Sequence, residues 1–139
     1  MAVLAVDRRY KSKWTGRSCS YPVAAATIIY AGALVSLNAA GFAIPASAVA
    51  GQRVVGVAQT AINNSAGAAG ALEVQTLVGV FSFKNDADAI VAADRGRLCY
   101  VQDDQTVQGS AGGSAIVAGI VETIETGVVY VYVAPEMSL

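Results

Sequence analysis

The stretch GRLCYVQDDQTVQG, Gly96 to Gly109, gathers side chains with chemical capacity: adjacent carboxylates at Asp103 and Asp104, a thiol at Cys99 and a phenol at Tyr100. Two carboxylates sharing one site can divide acid and base roles, because the charge on one raises the pKa of the other. Neighbouring residues in extended chain point to opposite sides, which works against such a dyad. Asp between two short strands is also favoured for a simpler reason, since its side chain bonds to the local backbone. The pair is therefore read as a bend between strands, and a hydrolase using Asp103 or Asp104 is the weaker alternative.

The other chemical groupings reduce in the same way. The chain has no histidine, which removes Ser/His/Asp and Cys/His relays and the commonest zinc ligand. Asp86, Asp88 and Asp94 lack the glycine and distal glutamate of an EF-hand loop, and they read as caps or a solvated face. GSAGG, Gly109–Gly113, has no Lys-Ser/Thr and no following helix, so it is a loop and not a phosphate cradle. Cys19 and Cys99 have neither CxxC spacing nor histidine partners, and they are expected to be two reduced thiols, one buried in a strand. Tyr100, Tyr130 and Tyr132 read as core or interface residues. The chain is thus read as a non-enzyme with no catalytic, cofactor-binding or metal-binding residue, and no cofactor is expected.

Charge is distributed unevenly. Between Met1 and Ser20, Arg8, Arg9, Lys11, Lys13 and Arg17 face Asp7 alone, a local charge of +4, whereas the rest of the chain carries −5. Residues 1–20 are accordingly read as an extended basic N-terminal arm, and residues 21–139 as the body. Arg8, Arg9, Tyr10, Lys11, Lys13, Trp14 and Arg17 form the candidate partner-binding set. Trp14 is its anchor, because a lone Trp inside a basic arm has no core of its own to fill. Nucleic acid is not the expected partner: no basic stripe continues into the body, and Tyr10 and Trp14 make a thin stacking platform.

The elements that must carry these residues follow from composition and turn chemistry. Hydrophobic residues make up 55% of the 139 and charged residues 14%, so the chain has enough apolar material for one domain, with much of its surface expected to meet other protein. The uncharged run from Ser18 to Gln52, ending near PASAVAG, imitates a secretory signal. It is interrupted by Pro22, Asn38, Gly41 and Pro45, and neither a signal nor a membrane span is expected.

Turn signals recur about every ten residues, the spacing of a small sandwich or barrel. Ala33–Leu37 and Phe42–Ile44 read as a hairpin across Asn38–Gly41. Val54–Ala61 is a strand, followed by the loop NNSAGAAG. Leu72–Phe83 is a long strand with Val74, Thr76, Val78 and Val80 on one side, and its Gly79 marks a bulge or a close approach of backbones. Asn85–Arg95 is expected to be the one short helix, capped by Asp86 or Asp88 and stopped at Gly96. Leu98–Val101 and Gln105–Val107 flank the Asp bend. Ile116–Ile124 and Val128–Val133 form a closing hairpin around Glu125-Thr126-Gly127. The expected fold is all-β: one small β-barrel, β-tulip or sandwich with an extended arm and one short helix.

Taken in order, IYAGALVSLNAAGFAIPA, NNSAGAAG, LVGVFSFKN, ADRGRLCYVQDDQTV and VAGIVETIETGVVYVYV resemble the small capsid cement, or head decoration, proteins of tailed bacteriophages. The resemblance spans Pro22 to Val133 and rests on hairpin and loop phrases. It implies a compact barrel or β-tulip on the outer face of the virion head, made in the host cytoplasm. It further implies binding across major capsid protein subunits, homo-oligomerisation with a trimer favoured, and stabilisation of the shell. No membrane is implied. The alternative is a carbohydrate- or ligand-binding β module of a phage tail or adhesion component, which requires exposed tyrosines on a concave face.

Overall fold

The computed structural model describes residues 3–9, 11–85, 90–111 and 115–135, with the side chains of residues 13–15 outside that description. Eleven strands are formed among them: β1 (Ser12–Pro22), β2 (Thr27–Ile29), β3 (Leu34–Leu37), β4 (Ala43–Pro45), β5 (Arg53–Ala58), β6 (Ile62–Asn64), β7 (Glu73–Asn85), β8 (Leu98–Val101), β9 (Thr106–Gln108), β10 (Val117–Glu125) and β11 (Val128–Val133). The fold is all-β, a five-stranded barrel with extra strands.

Local turn chemistry sets the hairpins. Asn38 closes the β3–β4 turn by accepting hydrogen bonds from the Ala40 and Phe42 amides, each at 3.0 Å. Gly41 follows at φ +90°, a conformation that a Cβ disfavours. The β10–β11 hairpin turns at the expected Thr126-Gly127.

The long strand β7 runs through both halves of one nine-stranded sheet. Its carboxyl half pairs with β11 from Gly79↔Val133 to Lys84↔Val128, and its last residues pair in parallel with β9 at Lys84↔Thr106 and Asn85↔Val107. With β11–β10, β10–β8 and β8–β9 this closes a ring. Closure leaves the barrel without an open sheet edge. Inside it, Phe81, Phe83, Cys99, Val101, Val107, Val121, Val129 and Val131 form one buried cluster, each large apolar side chain contributing about 1.5–3 kcal/mol.

The amino half of β7 lies between β1 and β5. It shows the expected alternation, with Val74, Thr76, Val78 and Val80 buried and Glu73 and Gln75 exposed. From there the sheet continues through β3 to β4, and a parallel bridge from Val23 to Ala43 curls it back toward β1. This half encloses a second cluster that includes Val23, Ile29, Val35, Val55 and Val74. The bulge expected at Gly79 lies in its partner: the β1 register jumps from Thr15↔Gly79 to Ser18↔Leu77.

Two expectations are revised. Among its described residues, the segment Asn85–Arg95 contributes only a 3-10 turn at Ala92–Asp94 in place of the expected helix. Asn85 explains the difference, because its side chain donates to the Ile90 carbonyl at 2.8 Å and accepts from the Ile90 amide at 2.9 Å. That clamp ties up backbone groups a helix would need, and it seats Ile90 in the barrel core. The caps proposed at Asp86 and Asp88 lie outside the described residues. The second revision is the arm, which is extended in conformation but from Ser12 onward is β1, an integral strand of the sheet. Basic charge marked the segment as separate, while Trp14, Thr15 and Tyr21 are residue types that suit a strand.

Candidate partner-binding surface

The segment before β1 lies on the body along a line of specific bonds. The Leu4 amide donates to Asp104 Oδ1 at 3.0 Å. Asp7 accepts from the Ala31 amide at 2.9 Å, and the Arg8 amide donates to the Ala31 carbonyl at 3.0 Å. The guanidinium of Arg8 donates to the carbonyls of Gly32 and Ser82, at 2.6 and 2.8 Å, and stands 4.9 Å from the centre of the Phe83 ring. Lys11 and Ser82 bond reciprocally, the Lys11 amide to Ser82 Oγ at 3.0 Å and the Ser82 amide to the Lys11 carbonyl at 2.9 Å.

The candidate partner-binding residues therefore separate. Arg8 is turned onto the body and half-buried, whereas Arg9, Lys11 and Arg17 are exposed. Lys13 and Trp14 fall within β1, where the Trp14 backbone is opposite Val80, and their side chains lie outside the described residues. Tyr10 lies outside them altogether. Charge counting could not distinguish Arg8 from Arg9, since only the fold decides which guanidinium meets a carbonyl.

Asp103 and Asp104 do form the expected bend, and both are buried, at 4% and 2% exposure. Asp103 Oδ1 accepts from the Gln105 amide at 3.0 Å, the local bond for which Asp is favoured in turns. Its Oδ2 finds no hydrogen-bond partner among the described residues. Asp104 instead holds the Leu4 amide, 100 residues away in sequence, a role that turn preference does not reveal. Burial pushes the Asp104 carboxyl above the ordinary carboxylate value; the Leu4 amide opposes this, the Asp103 charge adds to it, and Arg8 opposes it more weakly. These carboxylates have an evident structural use, one in the bend and the other in seating the N-terminal segment.

The remaining reactive groups are similarly placed. Cys19 is exposed and Cys99 buried, both as free thiols, as expected. Burial pushes the Cys99 thiol up to about 12, so it carries negligible thiolate at neutral pH. Tyr130 is buried in the barrel wall, and Tyr100 and Tyr132 are half-buried. Among the described residues no group of three or more His, Cys, Asp or Glu could hold a metal ion, and no helix is long and apolar enough to cross a membrane.

No family model, curated protein or solved structure matches this chain.

Proposed function

We propose that this protein is a capsid decoration or cement protein, binding the outer face of a tailed-phage head across major capsid protein subunits and stabilising the shell. The reading is carried by the ordered run of hairpin and loop phrases from Pro22 to Val133. The all-β body and the exposed cations of the N-terminal segment are compatible with it. Copies bridging several capsid subunits would favour the assembled shell by mass action, and repetition over a lattice would multiply a modest single-site affinity. A homotrimer around a symmetry axis of the lattice would present three such segments together. No turnover is required.

The test is to mix purified protein with expanded, undecorated heads and to measure copies bound per shell and the temperature at which the shell opens. Saturable binding with a raised opening temperature is expected. Absence of binding would overturn the proposal and turn attention to a glycan screen for the ligand-binding alternative.

A further inference from the structure

The docked N-terminal segment and the end of the barrel enclose a trough. Two depressions, of about 430 and 260 Å3, share Arg9, Ser82 and Val128 in their walls. The lining carries four cations, Arg8, Arg9, Lys11 and Lys84, against the single carboxylate of Glu125. In a chain of net charge −1 this is a local reversal of sign.

The cations stand on elements tied to one another. Ser82 and Lys84 are opposite Tyr130 and Val128 in the β7–β11 ladder, and Ser82 holds the Lys11 backbone, accepting from the Lys11 amide at Oγ and donating its own amide to the Lys11 carbonyl. Arg8 is already engaged by the Gly32 and Ser82 carbonyls, so Arg9, Lys11 and Lys84 are the exposed cations offered to a visitor. Ser82 and Lys84 are two residues apart on β7, where such positions share a side at a repeat of roughly 7 Å.

We propose that this trough binds an extended acidic segment of a partner protein, with carboxylates at alternate positions meeting Arg9, Lys11 and Lys84. The side-chain repeat of a strand-like ligand matches the roughly 7 Å repeat along the β7 wall. A nucleic acid fits less well. Tyr130 is only 3% exposed and offers no stacking face, and the body's charge of −5 over residues 21–139 repels a long polyanion more than a short acidic peptide. The inference rests on the trough's own charges and does not require the partner to be a phage shell.

The test titrates the full-length protein into a labelled peptide of about ten residues alternating Asp and Ser, long enough to cover both depressions in extended form. A counterpart with Asn in place of Asp and a single-stranded DNA oligonucleotide are run beside it, all by fluorescence anisotropy at low salt. Saturable binding of the Asp peptide is expected, weakened about tenfold by Arg9→Glu or by Lys84→Glu and diminished by added salt. Glu125→Gln should tighten it. An unchanged unfolding midpoint in the variants shows that lost binding is not lost fold. Absence of Asp-peptide binding, equal binding of the Asn peptide, preference for DNA, or indifference to the charge reversals would each overturn the proposal.

Discussion

Phe83 and Arg8 touch one another, yet they belong to regions held by different forces. Phe83 is part of a closed barrel whose ring of strands surrounds an apolar cluster. Arg8 belongs to a segment laid on the outside by a few polar bonds, to Gly32, Ser82, Ala31 and, through Leu4, Asp104. Burial of the barrel's interior is cooperative, so one gap is felt throughout. Hydrogen bonds exposed in part to water contribute about 1 kcal/mol each, so the outer segment can loosen while the barrel stays folded. The contrast separates a scaffold from a surface that the scaffold presents.

Substitutions in each region should reveal that difference. The largest loss is expected from Phe81→Ala, which empties a fully buried site in the barrel and should cost about 3–5 kcal/mol in chemical denaturation. Gly119→Ala comes next. A Cβ there would run into the Tyr132 carbonyl oxygen, and the strand shift needed to relieve that contact should cost about 1–3 kcal/mol. In the outer segment, Arg8→Ala should cost about 1–2 kcal/mol, losing two carbonyl bonds and the Phe83 ring contact. The neighbouring Arg9→Ala should leave stability within about 0.5 kcal/mol, as at an ordinary exposed site. Equal losses at Arg8 and Arg9 would erase the distinction drawn between them.

The smallest effect concerns pH. Asp104 has a raised native-state pKa, so between the ordinary carboxylate value and its raised native value this site holds more proton in the folded chain than in the unfolded one. Its contribution to stability is therefore fullest below the ordinary carboxylate value and is lost as pH rises through the raised native value. Asp104→Asn keeps an oxygen to accept the Leu4 amide and removes the charge. Relative to this variant, the wild-type melting temperature should fall as pH rises through that window; parallel curves would contradict the assignment.

What could be read from the sequence, and what could not, divides along the same line. Asn38–Gly41, the Thr126-Gly127 turn, the bend at Asp103-Asp104 and strand Leu98–Val101 were legible because turn preference is local. The alternation along β7 was legible too, since burial on one face imposes a period of two. The double role of β7 was not, because the parallel Lys84↔Thr106 pairing depends on closure of the whole ring. Nor could pattern alone reveal that Asn85 would clamp Ile90 and displace a helix. The same holds for the candidate site. Its basic residues stood out by composition, but Lys84 joins them only through the docking of Lys11 on Ser82, and Arg8 leaves them only because carbonyls lie within its reach.

The most direct test compares the full chain with a version lacking residues 1–11, which preserves β1 and removes only the docked segment. Thermal unfolding is followed on one sample of each, and separate folded samples are mixed with expanded, undecorated heads. The account predicts that the shortened chain still unfolds cooperatively but that its occupancy on the shells collapses while the full chain saturates. Equal occupancy of the two would contradict the claim that the N-terminal segment is the partner-binding region.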